Sequence, residues 1–177
     1  MAEISLAPAT AEDYDAYYAI RCSPADIYWN GHTGKPDKNA FYKAYVNRIN
    51  TAPFNSPDDS RIFLVALNNR PDLFIGFVLF TIRQDGIELG YTIVEDYQRL
   101  GYGTKALRKG VEIAAGYKNT IYVRVRDDNI ASIKTAERSG FRATNEYELR
   151  DYPGAGEIKF RKYVFSKVLR IKQGNIS

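Results

Sequence analysis

Residues 87–94 have the β-branched and aromatic density of a strand, and residues 105–117 have the apolar repeat of a helix. Between them stands Gln98-Arg99-Leu100-Gly101-Tyr102-Gly103-Thr104. A further strand-like run, 120–126, follows the helix. Strand, helix, strand in that order makes a right-handed crossover between parallel strands, so part of the sheet must be parallel. The glycines fall at the strand-to-helix turn. The first turn of a helix leaves backbone N–H groups unpaired and gathers partial positive charge, which makes such a turn an anion site wherever the backbone can come close. Gly101 and Gly103 lack a Cβ and tolerate positive φ, which allows that approach.

Upstream the pattern changes. Ile4-Ser5-Leu6 reads as a short strand, and Thr10-Ala11-Glu12-Asp13 as the capped start of a helix carrying Tyr14, Tyr17 and Tyr18. Ser23-Pro24 ends that helix, because the residue before proline disfavours α geometry. Tyr28-Trp29-Asn30-Gly31-His32 reads as a loop, and Pro36-Asp37 opens a second helix with Phe41, Ala44, Tyr45 and Ile49 on one face. Residues 61–67, 73–81 and 87–94 then form an antiparallel meander through turns at 68–72 and at Asp85-Gly86. Downstream, Asn129 caps a short helix that runs to Ser139 and closes at Gly140. Residues 142–149 and 158–169 are strands joined through Pro153-Gly154-Ala155-Gly156. The fold class is α/β in the α+β, mixed-sheet sense: a mostly antiparallel N-terminal sheet with one parallel strand-helix-strand crossover. A chain of 177 residues suits one core, so residues 1–170 form a single domain and 171–177 a tail.

The 14 Tyr and 9 Phe exceed what a minimal core needs, so some rings are expected to line a pocket. No apolar run approaches the roughly 18 residues of a membrane span. Residues 1–10 lack the basic and apolar regions of a signal peptide, so a cytoplasmic location is expected. A single cysteine, Cys22, excludes an internal disulfide and a multi-cysteine metal site. No metal, nucleic-acid or membrane partner is expected. The net charge of +4 is spread along the chain and admits an acidic ligand without requiring one.

The phosphate loop of nucleotide hydrolases does not fit the glycine turn, because no Gly-Lys-Ser/Thr follows at the required spacing. A dinucleotide-binding turn matches in letters through Gly101-Tyr102-Gly103-Thr104-Lys105-Ala106, with Asp127 and Asp128 where a ribose ligand would stand. In that fold, however, the first glycine follows its strand directly and the sheet is largely parallel, whereas residues 95–100 intervene here and a meander precedes. A plain tight turn, with Gly140 merely ending a helix, also remains open. More of the chain is covered by a resemblance. The order of helices and strands, with Gln98, Gly101 and Gly103, then Asn129 to Ser132, then Ser139-Gly140-Phe141, resembles the GCN5-related N-acetyltransferase (GNAT) superfamily over residues 4–169. Asn129-Ile130-Ala131-Ser132 and Glu137-Arg138-Ser139-Gly140-Phe141 are most similar to the branch containing the ribosomal-protein N-terminal acetyltransferases.

The resemblance implies acetyl-CoA as acyl donor, with no metal. Gln98, Arg99, Leu100, Gly101, Tyr102, Gly103 and Thr104 would wrap its diphosphate, and Arg99 and Lys105 could add charge. Ile93, at the strand end, would lie beside the pantetheine arm, and Asn129 would steady that arm or simply cap its helix. A peptide-like pantetheine suits an exposed strand edge and a diphosphate suits a glycine nest. The reaction is direct attack by a primary amine in a ternary complex. The amine must be neutral to attack, so Glu88 is the candidate base and a strand N–H near Ile93 the oxyanion donor. Many family members protonate the departing thiolate with a tyrosine where this chain has Ala136; in the ribosomal-protein branch Ser132 takes that place. The acceptor groove would draw on Tyr28, Trp29, Asn30 and Tyr152, with His32 nearby, and suits a protein N-terminus, a small amine or an amino sugar equally. A homodimer is compatible with the family. Ala136 also motivates an alternative, a catalytically silent acyl-CoA-binding module acting with a protein partner.

Overall fold

The computed structural model describes residues 2–49 and 53–166. The chain runs β1 (Ile4–Pro8), α1 (Tyr14–Arg21), α2 (Pro24–Trp29), α3 (Lys38–Ile49), β2 (Ser60–Leu67), β3 (Arg70–Arg83) and β4 (Gly86–Ile93). It continues through α4 (Tyr102–Ala114), β5 (Ile121–Arg126), α5 (Ile130–Arg138), β6 (Phe141–Tyr152) and β7 (Gly156–Phe165). Seven strands form one mixed sheet in the order β1-β2-β3-β4-β5-β7-β6. All neighbours are antiparallel except β4 and β5.

The parallel pair positions the site. Its ladder holds only Ile87 opposite Ile121 and Glu88 opposite Tyr122. β4 nevertheless continues to Ile93 and β5 to Arg126, so the two strands part into a wedge. α4 and α5 cover one face of the sheet, over a core that includes Val78, Phe80, Leu89, Leu107, Val111, Val123 and Phe141. α1 and α3 cover the other through Tyr14, Tyr17, Ile20 and Tyr45 against Ile62, Leu64 and Phe77. Much of the aromatic surplus is therefore spent on this second core rather than on a pocket. Buried phenols need a polar partner. Tyr14 donates to the Lys38 carbonyl and Tyr45 to the Thr10 carbonyl, which ties α3 to the start of α1.

Several boundaries differ from the sequence expectation. Pro24 does not merely end a helix; it begins α2, because the first helical position needs no N–H. Ser23 caps α2 by accepting from the Asp26 N–H at 3.2 Å. Tyr28 and Trp29 are thus helical rather than loop residues. On α3, Ala44 is exposed, and the inward stripe is Phe41, Tyr45, Val46 and Ile49. β3 starts at Arg70, immediately after an Asn68-Asn69 turn. The end of the last expected strand, residues 167–169, the domain limit at 170 and the tail 171–177 lie outside the described residues.

Candidate active site

The wedge presents main chain on its β4 side. Ile87 N–H donates to the Thr120 carbonyl across the parallel pair, and Val94 N–H to the Ile75 carbonyl on β3, both at 2.9 Å. The β3–β4 register is unbroken from Gly86 to Ile93. Strand amides alternate in direction, so that of Leu89, like that of Ile87, faces β5 within the paired stretch, and those of Tyr91 and Ile93 point into the wedge beyond it. At its mouth lies the glycine loop. Gln98 Nε2 donates to the Ile93 carbonyl at 2.8 Å, which holds the loop against the end of β4. Arg99 and Gly101 both have left-handed backbone, with φ of 60° and 78°. Gly101 occupies the N-cap of α4 without a capping side chain, and the first helical bond there runs from Lys105 N–H to Gly101 O. The N–H groups of Tyr102, Gly103 and Thr104 are consequently left for an anion.

The loop offers backbone more than side chains. Tyr102 turns its ring into the core, while Leu100 is exposed. Gly103 is helical, and its lack of a side chain serves packing: a Cβ there would stand 3.2 Å from the Tyr91 ring and 3.3 Å from Thr135 Cγ2. Lys105 is drawn away to Glu3 at 2.6 Å and to the Ala2 carbonyl. Among the charges considered for the diphosphate, Arg99 is the exposed one.

Glu88 faces the side of the sheet covered by α1 and α3. It accepts from Arg83 Nε at 3.1 Å, from Arg124 at 2.8 Å and from Arg150 at 3.4 Å. The three arginines come from β3, β5 and β6, and nothing in the local sequence around Glu88 signalled them. Glu148 joins the cluster through Arg124 and Arg150, and the Arg150 hydrogen bond holds its carboxyl below the usual carboxylate range.

α2 is anchored to the free half of β4. Thr92 donates to Asp26 Oδ1 at 2.8 Å, and Glu95, just beyond β4, accepts from the Ala25 N–H at 3.0 Å. Asp26 is buried beside Arg21, whose guanidinium stands 3.3 Å from Oδ2. Burial raises the Asp26 carboxyl above its ordinary value, and that long ion pair only partly opposes it. One N–H of the Asn30 side chain donates to the Asp26 carbonyl and closes α2.

Arg126, at the end of β5, is a second organiser that the sequence reading missed. It pairs with Asp128 through two bonds of 3.0 and 2.8 Å, donates to the Tyr28 carbonyl, and lies under the rings of Tyr28 and Trp29 at 5.3 and 5.1 Å. Asp128 is thereby committed to Arg126, and Asp127 sits near Lys159 and Arg161, so neither is placed as a ribose ligand. Tyr152 packs its ring on Gly31, where a Cβ would stand 2.2 Å from that ring. A cleft of about 780 Å³ opens here, lined by Tyr28, His32, Arg126, Asp128 and Lys159 among others. Tyr28 lines it; Trp29, Asn30 and Tyr152 support its walls.

On the opposite face, Asn129 Oδ1 accepts from the Ser132 N–H at 3.0 Å and caps α5. Ser132 Oγ lies 3.1 Å from the Tyr91 hydroxyl. Ala136, one turn further, is fully buried. Replacing Asn129 by Ala should cost about 1 kcal/mol of stability through the lost cap. Urea midpoints of the two proteins measure it.

Residues 3–142 match the family model described as an acetyltransferase (GNAT) domain. The chain belongs to the GNAT acetyltransferases. Solved structures of this GNAT protein's fold include spermidine N-acetyltransferase from Vibrio cholerae in complex with CoA and spermine, with a TM-score of 0.75, 14% identity, and 92% and 94% of the two chains covered. AAC(6')-Ib in complex with paromomycin and acetyl-CoA matches with a TM-score of 0.73, 16% identity and 99% of each chain. A putative acetyltransferase from Acinetobacter baylyi matches at 0.72, with 13% identity and 94% of each chain covered. No curated protein matches the sequence. The GNAT assignment makes acetyl-CoA the acyl donor, and the wedge with its cradle fits it. The strand edge is open where a peptide-like arm would lie, and unpaired helix N–H groups stand where a diphosphate would. Among the described residues no cluster could hold a metal, and no helix is long and apolar enough to cross a membrane.

Proposed function

We propose that this protein is an acetyl-CoA-dependent N-acetyltransferase acting on a small primary amine by direct transfer. The observation that carries the reading is the parting of β4 from β5 after two paired residues, with the glycine cradle at its mouth. Acetyl-CoA supplies an acetyl thioester. The chain holds it by the amides of Tyr91 and Ile93 along β4, by the loop from Gln98 to Thr104, and by Asn129 at the start of α5. A β4 amide near Ile93 also supplies a fixed donor for the oxyanion. The amine arrives from the face that carries Glu88, under Tyr28, Trp29 and Tyr152. Glu88 receives its proton through water, because both carboxylate oxygens are engaged by arginines. Ser132 attends the leaving sulfur.

The solved neighbours include complexes with spermine and with aminoglycosides, which supports a small polyamine or amino-sugar acceptor. A protein N-terminus is a second reading, supported by the 129–132 and 137–141 segments. A cytoplasmic location fits a one-cysteine chain that draws on acetyl-CoA. Free thiol released from acetyl-CoA should rise on adding spermidine, kanamycin or a short peptide, and the acceptor class is the one that raises it most. Glu88→Gln should lower turnover by about 100-fold while CoA still binds. Binding of CoA without acceptor-dependent thiol release across all three classes would instead favour a silent acyl-CoA-binding module.

A further inference from the structure

Two hydroxyls meet on the helical face of the wedge. Tyr91 belongs to the diverging half of β4; its main chain faces the wedge and its side chain crosses to α5, where it meets Ser132 at 3.1 Å. Its ring rests on Gly103 of α4. The Ser132 N–H is held by Asn129, and the Thr135 hydroxyl is spent on the Ala131 carbonyl at 2.9 Å. Three elements therefore fix the pair. Two hydroxyls carry two protons and share one hydrogen bond, so one O–H is left to donate elsewhere. Ser132 is only half-buried, and Ala136, on the same face of α5, brings no proton.

We propose that Tyr91 is a positioning residue for the leaving group: it donates to Ser132 Oγ, holds that hydroxyl toward the donor sulfur, and replaces the proton that Ser132 gives up. This rests on the N-acetyltransferase reading above. When the acyl C–S bond breaks, its electron pair stays on sulfur. The Ser132 proton passes to sulfur and the Tyr91 proton to Ser132. The phenolate then recovers from solvent the equivalent of the proton that the amine lost. No further reactant is needed. Burial raises the Tyr91 hydroxyl above its ordinary value, and the hydrogen bond with Ser132 only partly opposes it, so it enters each turnover protonated near neutral pH. The same pair also explains Gly103: any side chain there would lift the ring away from α4.

The test uses Tyr91→Phe, Ser132→Ala and the double variant, and Tyr91→Phe keeps the ring that packs on Gly103. The first readout is the ionisation of the thiol of bound CoA, followed by thiolate absorbance against pH. A hydroxyl donated to sulfur stabilises the thiolate, so each single variant should weaken thiol ionisation about tenfold relative to the parent. The second is steady-state kinetics. kcat should fall about 10- to 100-fold with the KM for acetyl-CoA changed less than about twofold, and the double variant should lose no more than Ser132→Ala. Thiol ionisation unchanged in Tyr91→Phe, or losses that multiply in the double variant, would overturn the proposal. A parent protein that turns over none of the amines defeats the N-acetyltransferase reading instead, and the titration of bound CoA still decides the hydroxyl pair.

Discussion

Gly76→Ala should lower the thermal unfolding midpoint by about 6–12 °C, the shift expected for about 3 kcal/mol in a chain of this size. Gly76 lies on β3 opposite Ile93, and an added Cβ would stand 2.1 Å from the Thr92 carbonyl oxygen and 2.9 Å from Ile93 Cδ1. The nearer obstacle is backbone at the last pairs of the β3–β4 ladder, so no rotamer change relieves it. The register of β2 against β3 also shifts beside this residue, between Val65 and Ala66, which leaves little slack in the pairing. Relief must come from moving the end of β4. That end carries the Ile93 amide and, through Gln98, the glycine loop, so CoA affinity should fall together with stability. Gly34→Ala is the control: nothing lies within 4 Å of its added Cβ, and its midpoint should stay within about 2 °C of the parent. Differential scanning of both variants, with and without CoA, measures the two effects. Equal midpoints for Gly76→Ala and Gly34→Ala would mean that the end of β4 gives way freely.

The parts of this molecule that were legible in the sequence are those set by local chemistry. The meander, the β4-α4-β5 crossover, the Asp37 and Asn129 caps and the positive φ at Gly140 each depend on a few neighbouring residues. The glycine loop was legible for the same reason, since turn and helix start are consecutive. What escaped was set by distant parts of the chain. Pro24 reads equally as the end of one helix or the start of the next, and only the docking of α2 on Thr92 and Glu95 decides between them. Glu88 was found as a strand carboxylate, but its arginine partners stand 5, 36 and 62 residues away. Arg126 carried no local mark at all. Tyr91 has no local mark beyond its place in a strand, and its partner lies 41 residues further on. Charge networks across a sheet leave no periodic trace, so the acceptor face was the least readable region. The wedge itself was equally hidden, because parting strands look the same in sequence as paired ones.

Asp26→Ala should destabilise the protein by about 3 kcal/mol and loosen the wall of the acceptor groove. The side chain of Asp26 is fully buried, and its loss leaves the mostly buried Arg21 guanidinium without its carboxylate and Thr92 without an acceptor. Asp26→Asn separates charge from shape, because an amide oxygen can still accept from Thr92. The groups facing this carboxyl are Arg21 from α1, Thr92 from β4, and Asn30 and His32 beyond α2. They favour the charged form but do not outweigh burial. The folded protein therefore holds a proton on Asp26 at a pH where the unfolded chain has released it. With the folded value raised, stability from this group is fully present below the unfolded value of about 3.9 and is lost as pH rises through the folded one. Carboxyls held low by their partners, such as Asp85, Asp128 and Glu148, slope the other way, but they are common to both proteins and cancel in a difference. The stability of the parent relative to Asp26→Asn should thus decline from about pH 4 upward and level off once the folded carboxyl is ionised. Urea midpoints of the two proteins across that range measure it, and a flat difference would mean that Arg21 neutralises the burial cost. Because α2 carries Tyr28 and Trp29 and is pinned to β4 through this carboxyl, Asp26→Ala should raise the KM for the amine more than the KM for acetyl-CoA. An acetyl-CoA KM that rose as much would place the effect in β4 itself rather than in α2.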